Sequence, residues 1–199
     1  MPNSNRPFGL RPVGSMNGAP WNNKVQKYAV LAADTTAIFI GDTVALAASN
    51  TLTQTPFKDH PVPIATKAAT SDVTIGVCVG VEPLPGDLGV NYRKASTLMG
   101  ILVCTDPNTV YEIQGDVDTF DAADVGLNAS ITVSTGSTTT GISNAVLDQS
   151  TVDTTTTLAV QILGMQAGVD NDISATATYP TFLVRLNNHQ FVEATTGIS

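Results

Sequence analysis

The side chains that could carry catalysis or hold a metal are few and far apart in this chain. Its 199 residues include two histidines, His60 and His189, and two cysteines, Cys78 and Cys104. Nucleophilic catalysis needs a serine or cysteine beside a base and an orienting group, and a zinc site needs ligand pairs at short spacing. Neither pattern occurs, and no glycine-rich phosphate loop leads into a helix. We therefore expect a protein that is not an enzyme and that uses no metal or cofactor.

One acidic segment, residues 116–124, has the composition of a calcium-binding loop but not its spacing. An EF-hand loop needs oxygen ligands at its first, third and fifth positions and a glycine at the sixth. Here Phe120 takes the fifth position and Asp121 the sixth. The better interpretation is a short helical turn through Val125, capped by Thr119 or Asp121, and a looser calcium site is the alternative.

The elements that must position these residues are predicted to be β-strands. In residues 73–81, five valine and isoleucine side chains alternate with threonine, glycine and cysteine, so we expect the five to share one face of a strand. Similar patterns predict about ten short strands, at residues 25–31, 37–40, 43–46, 73–81, 98–103, 110–114, 131–134, 145–148, 158–163 and 182–186. The predicted fold is all-β: a single β-barrel or β-sandwich (jelly-roll-like) domain.

Glycines interrupt these apolar strands at positions 76, 80 and 100, which indicates bends or a close neighbouring backbone. On the 73–81 strand two of them lie on a face made of small side chains, so a bulky group must cover that face. We expect the cover to come from within the chain, from Tyr111 or Phe120, and a neighbouring subunit is the alternative.

Residues 1–23 differ from the body that follows at residues 24–199. Four prolines and three glycines in this segment disfavour helix and central strand and favour extended chain. Apolar residues are interspersed with them, as in a segment that lies along a surface. We interpret residues 1–23 as an extended N-terminal arm that lies outside the sheet and on which the core does not depend. A disordered terminus is the alternative.

Charge is distributed unevenly along the chain, whose formal net charge is -8. The first 27 residues contain four basic residues and no acidic one, whereas ten acidic residues and no basic one lie between Lys94 and Arg185. This layout indicates a basic segment that docks onto an acidic surface, either of another molecule or of its own body. Four charges and two aromatic residues are too few for a nucleic-acid arm, so we expect no nucleic-acid partner.

The rest of the composition bears on compartment and surface. Only 13% of residues are charged, about half the usual share, which is typical of a protein packed against neighbours, although threonine-rich β-proteins without partners share it. The start of the chain has no signal-peptide core and no apolar run of about 18 residues occurs, so we expect no membrane association. In a reducing interior, Cys78 and Cys104 are expected to stay unpaired.

Four segments carry a resemblance that spans nearly the whole chain. They are Arg6-Pro-Phe-Gly-Leu-Arg-Pro with Gly18-Ala-Pro-Trp21, Thr105-Asp-Pro-Asn-Thr-Val-Tyr-Glu-Ile-Gln114, Gly136-Ser-Thr-Thr-Thr-Gly-Ile-Ser143 with Leu147-Asp148, and Val184-Arg-Leu-Asn-Asn-His-Gln190. In order and spacing they resemble the cement or decoration (minor capsid) proteins of tailed-bacteriophage heads. That family has no catalytic residues to transfer.

The resemblance implies a virion protein, made in the host cytoplasm, that binds the major capsid protein and locks capsomers together, often as a homo-oligomer such as a trimer or dimer. On this basis we expect Phe8, Leu10 and Trp21 to insert between capsid subunits and Arg6 and Arg11 to meet carboxylates of the shell. The alternatives are a neck or tail component and a carbohydrate-binding module on the virion.

Overall fold

The protein is a β-sandwich of two antiparallel sheets. The computed structural model describes residues 3–48, 51–58, 60–70, 72–120, 122–166, 168, 170–172, 174 and 177–192. Its eleven strands are β1 (Arg11–Ser15), β2 (Gln26–Val30), β3 (Thr43–Leu46), β4 (Ala65–Lys67), β5 (Gly76–Val81), β6 (Met99–Cys104), β7 (Thr109–Gln114), β8 (Asn128–Thr132), β9 (Val146–Asp153), β10 (Val160–Met165) and β11 (Thr181–Leu186). The only helical element among these residues is a short 3₁₀ turn, Ala122–Asp124.

The two sheets take their strands from different parts of the sequence. The five-stranded sheet has the order β2-β6-β5-β3-β4, and the six-stranded sheet has the order β1-β7-β11-β10-β8-β9. Strand β11, near the end of the chain, lies between β7 and β10, and β1 lies at the sheet edge beside β7. The six-stranded sheet is therefore built from the two ends of the chain together with its middle.

Two apolar clusters hold the sandwich together. The larger one is formed mainly by the six-stranded sheet and includes Tyr111, Phe120 and Phe182, with the last two rings 4.5 Å apart. The smaller one belongs to the five-stranded sheet and includes Tyr28 and Ile101. Fully buried apolar side chains of this size each contribute about 1.5–3 kcal/mol through removal from water, so these clusters are the main source of stability.

The 73–81 segment departs from regular alternation. The strand begins only at Gly76, whose φ of 146° is one that other residues rarely adopt, and a β-bulge shifts the register between Cys78 and Gly80. Each irregularity turns the following side chains over. Val77 consequently packs in the larger cluster, whereas Ile75 and Cys78 pack in the smaller one, and the expectation of one shared apolar face is wrong.

Gly76 and Gly80 of β5 are covered from within the chain by the neighbouring strand β6, and not by the expected Tyr111 or Phe120. A Cβ at Gly76 would overlap the backbone carbonyl of Cys104, and Gly80 lies under Leu102 of the paired strand. Phe120 instead covers Gly115, at the end of β7. The close approach of β6 to β5 therefore explains the glycines of this strand.

The N-terminal residues form part of the sandwich. Strand β1 pairs with β7, with Arg11 opposite Glu112 and Ser15 opposite Thr109, and Leu10 lies in the larger cluster. The expectation that residues 1–23 stay outside the sheet is therefore wrong. An edge strand accommodates Pro12 because the missing N–H faces away from the ladder, and a bulge between Pro12 and Gly14 absorbs the irregularity.

Candidate interaction surface

Hydrogen bonds between side chains and backbone join the body to the N-terminal segment, which we define as residues 3–23. The side-chain amide of the buried Gln114 donates a hydrogen bond to the carbonyl of Ser4 at 2.9 Å and accepts one from the backbone N–H of Arg6 at 2.9 Å. The amide of Asn3 donates to the carbonyl of Asp172 at 2.9 Å and accepts from the N–H of the same residue at 2.6 Å. These contacts fix the segment before β1 begins.

A close backbone crossing then places Leu10 in the core. Gly9 has a φ of 67°, and a Cβ there would overlap Gly41 and Ser143, so only glycine fits. The N–H of Leu10 donates to the carbonyl of Gly41 at 2.9 Å. Leu10 itself is 2% exposed. It is therefore a core residue rather than an anchor available to another molecule.

Strand β1 presents a polar pair and a protected edge. Arg11 makes an ion pair with Glu112 of β7, with 3.0 Å between Nε and Oε2, and its guanidinium carbon lies 4.9 Å from the centre of the Phe8 ring. The outer edge is covered because the N–H of Ser15 donates to the carbonyl of Ala19 at 2.9 Å. Together with the N–H that Pro12 lacks, this return of the chain leaves little of the edge free to pair with another strand.

The N-terminal segment lines an open apolar groove of about 340 Å³ together with Val79 of β5 and residues of two connecting segments. We call it the N-terminal groove. Its lining residues are Phe8, Leu10, Arg11, Pro12, Trp21, Ile40, Val79 and Ile142. The structure therefore brings together four of the five residues predicted to bind the capsid, and it adds three aliphatic ones. No sequence signal marks Ile40, Val79 and Ile142 as neighbours of Phe8, because the chain crossing at Gly41 creates that proximity.

Arg6, the fifth predicted residue, lies at a different site. It is exposed and lines a polar pocket of about 310 Å³ with Asn3, Gln114 and Asp170. Within the described part of the chain its guanidinium has no ion-pair partner.

The lining of the N-terminal groove is mainly apolar. Its lining consists of aromatic and aliphatic side chains and one arginine, so it offers no nucleophile and no general base. Arg11 keeps 62% of its side chain exposed despite the ion pair with Glu112. Such a lining suits an apolar side chain with a carboxylate near it.

A second polar cluster, missed in the sequence, lies under the turn before β3. Asp42 is buried, and its carboxylate accepts hydrogen bonds from Ser143 Oγ at 2.6 Å and from the N–H of Phe39 at 2.9 Å. The same carboxylate forms an ion pair with Lys67, with 2.9 Å between Nζ and Oδ2. The Lys67 ammonium also donates to the carbonyl of Ser134 at 3.0 Å. Ser143 is fully buried, so this cluster ties strands together and has no accessible nucleophile.

Lys67 and Phe39 also line an open cavity of about 530 Å³, together with Val133, Ser134 and Thr135. The lysine donates within the protein to Asp42 and Ser134, so its charge is already compensated. The cavity therefore has no exposed unpaired charge to select a ligand.

Cys78 and Cys104, two of the residues first considered for chemistry, lie on the paired strands β5 and β6 but pack in different apolar clusters. Burial raises the pKa of the Cys78 thiol to about 12, and both cysteines are buried free thiols. Burial lowers the pKa of His189, whose Nδ1 accepts from the N–H of Phe191 at 3.1 Å. His60 is exposed in its loop. Asp59, its neighbour, lies outside the described residues.

The short 3₁₀ turn Ala122–Asp124 lies where the sequence predicts a helical turn through Val125. Asp121, one of the two proposed caps of that turn, lies outside the described residues. Among the residues that the structure describes, no group of three or more His, Cys, Asp or Glu side chains is arranged to hold a metal ion. The same part of the chain contains no helix with the length and apolar character needed to cross a membrane.

No model of a known protein family, no curated protein and no solved structure matches this chain.

Proposed function

We propose that this chain is a structural virion protein that binds the assembled capsid shell and cements neighbouring major-capsid subunits. The observation that carries the proposal is that the body fixes the basic N-terminal segment along its length and holds Phe8, Arg11 and Trp21 at one open apolar groove. The four sequence segments that resemble phage cement proteins support the same function. The protein is proposed to reside in the virion after synthesis in the host cytoplasm.

Binding through a fixed surface changes the mechanism expected from the sequence. Because Leu10 is committed to the core, the contact with the shell is assigned to the exposed Arg6 and to the half-buried Phe8 and Trp21. A preformed surface loses little conformational entropy on binding. Because the protein would bind assembled shell and not dissociated subunits, it would stabilise the shell by linkage, and a homo-oligomer would add avidity.

The test is co-sedimentation of the purified protein with shells that lack it. We expect Arg6→Glu to weaken binding at least tenfold at low salt and less at high salt, since the contact is between charges. Lys58→Glu makes the same charge change on an exposed loop and is the matched control. Equal binding of wild type and Arg6→Glu at low salt would refute the assignment of this surface.

A second measurement concerns the apolar part of the surface and the position on the particle. Trp21→Ala is expected to cost more than Arg6→Ala, because an apolar anchor outweighs a rim charge. Imaging of labelled protein on particles then locates it: label over the whole head agrees with a cement protein, whereas label at one vertex would indicate a neck or tail component.

A further inference from the structure

A lysine and an aspartate face each other inside the sandwich, away from bulk water. Asp42 stands just before β3 with no exposed side-chain surface, and Lys67 ends β4 with 8% of its side chain exposed. Lys67 Nζ lies 2.9 Å from Asp42 Oδ2. A buried ion pair is a weak source of stability, because the cost of taking two charges out of water offsets their attraction. Stability alone therefore does not account for the pair.

Strand pairing holds the two side chains against each other. The carbonyl of Asp42 accepts a hydrogen bond from the N–H of Cys78 at 2.9 Å, and Lys67 lies opposite Val44 in the β3–β4 ladder. Neither backbone can move away without breaking these contacts. Groups held in a reactive orientation behave as if each were present at a concentration of about 10⁵–10⁸ M beside the other. The fold thus presents an amine to a carboxyl group at very high effective concentration.

Each oxygen of the Asp42 carboxylate is held by a different donor. Ser143 Oγ donates to Oδ1 at 2.6 Å, and the N–H of Phe39 donates to Oδ2 at 2.9 Å. The Ser143 hydroxyl itself accepts from the N–H of Ala145 at 3.1 Å, which orients its own hydrogen towards Oδ1. A donor fixed on one oxygen stabilises the negative charge that develops there when a nucleophile attacks the carboxyl carbon.

We infer that Lys67 and Asp42 form an intramolecular isopeptide bond, which joins the end of β4 covalently to the residue before β3. A proton passes from the Lys67 ammonium to Oδ2, the freed lone pair of Nζ attacks the carboxyl carbon, and negative charge collects on Oδ1 beside the Ser143 hydroxyl. A second proton from Nζ then reaches Oδ2, and the carbon–Oδ2 bond breaks. Nζ keeps one hydrogen, so the ammonium and the carboxylate give one amide and one water molecule without any co-reactant.

The product removes two buried charges and keeps part of the hydrogen bonding around them. The amide N–H still faces the carbonyl of Ser134, which lies 3.0 Å from Nζ, and the amide oxygen, formerly Oδ1, still accepts from Ser143. The N–H of Phe39 loses Oδ2 as its acceptor. Because burying ions costs far more than burying a hydrogen-bonded amide, the interior favours the amide. Lys67 lines the open cavity of about 530 Å³, which gives the released water a way out.

A second lysine–aspartate pair in the same chain shows what distinguishes this one. Lys94 Nζ lies 2.6 Å from Asp87 Oδ2, but their side chains are 37% and 49% exposed. Water stabilises the charged forms of an exposed pair, so neither the amine nor the carboxylic acid forms there. This pair has the same two residue types at a similar distance without the burial, and we expect it to remain an ion pair. It is therefore the matched control.

The first experiment measures the intact mass of the purified full chain under denaturing conditions. The wild type is expected to be lighter than its sequence by one water molecule. Lys67→Arg keeps the positive charge but forms no amide, because a guanidinium stays protonated, and it should show the full mass of its sequence. Lys94→Arg should lose one water molecule as the wild type does. A wild-type protein with the full sequence mass would overturn the inference, whatever the outcome of the shell-binding tests.

Tryptic peptides locate the bond, since an aspartate that cyclises to a succinimide also loses one water molecule. Trypsin does not cleave after an acylated lysine, so the wild type should give one branched peptide in which residues 28–58 are joined to residues 59–93. Lys67→Arg should give residues 28–58, 59–67 and 68–93 as three separate peptides. Three separate peptides from the wild type would refute the bond even if water had been lost.

Ser143→Ala tests the role of the hydroxyl, because it removes the donor to Oδ1 and leaves the amine and the carboxylate in place. Intact mass is measured at intervals after synthesis, and circular dichroism establishes that the variant folds as the wild type does. The fraction of molecules that have lost water should rise at least tenfold more slowly than in the wild type. A rate equal to that of the wild type would overturn the role assigned to Ser143 in the reaction.

Discussion

Truncation of Leu10 to alanine tests whether the N-terminal segment belongs to the folded body. The change removes three carbon atoms from a side chain that is 2% exposed, and at about 0.8 kcal/mol per buried methylene the transfer term is about 2.4 kcal/mol. A cavity term usually adds to this. Here it should be small, because the N-terminal groove opens beside Leu10 and water can enter. We expect the free energy of unfolding to fall by about 3 kcal/mol.

The assay is urea unfolding followed by circular dichroism, with thermal unfolding as a second measurement. For a chain of this size, about 3 kcal/mol corresponds to a melting temperature lower by about 6–12 °C. Leu52→Ala is the control and should change stability by less than about 0.5 kcal/mol. A loss below about 1 kcal/mol for Leu10→Ala would refute the reasoning, because it would mean that residues before β2 separate from the body at little cost.

Three further predictions concern other parts of the fold. Burial lowers the pKa of His189 in the folded protein, so the unfolded chain binds this proton at a higher pH than the folded chain does. Stability should therefore be full above about pH 6.5 and decline as the pH falls below that value. Urea unfolding of His189→Gln should show less of this decline. Cys78 and Cys104 should resist alkylation in the native protein and both react after denaturation without reductant, and intact mass would reveal a disulfide if neither reacts. Gly76→Ala should lower the free energy of unfolding by more than about 2 kcal/mol, because the added Cβ clashes with the backbone of Cys104. Gly86→Ala, whose added Cβ meets open space, should lower it by about 1 kcal/mol. Equal losses in urea unfolding would contradict this prediction.

Much of the strand content could be predicted from local patterns. The predicted strands at 98–103, 110–114 and 182–186 correspond closely to β6, β7 and β11, because each is an apolar run bounded by turn residues. The predicted strand at 37–40 makes only isolated bridges, at Ile38 and Ile40. Strand β4 was missed because three residues give no readable period.

The candidate site was predictable only in part. The sequence identified the aromatic residues and arginines of the N-terminal segment, since apolar residues interspersed with prolines are unusual in a solvated terminus. It could not show that Leu10 is buried or that Arg11 pairs with Glu112, because both depend on pairing between segments about 100 residues apart in sequence. Proline favours extended chain, and extended chain is compatible with an edge strand.

The way the two sheets divide the chain has a consequence for synthesis on the ribosome. All strands of the five-stranded sheet lie between Gln26 and Cys104, so that sheet can assemble while the rest is still being translated. Strand β1 leaves the ribosome before any of them, yet its partner β7 begins only at Thr109, and β11 beside β7 ends at Leu186. The earliest of these strands is thus fixed only after all five strands of the smaller sheet have been made, and until then its apolar residues are available to chaperones or to other nascent copies.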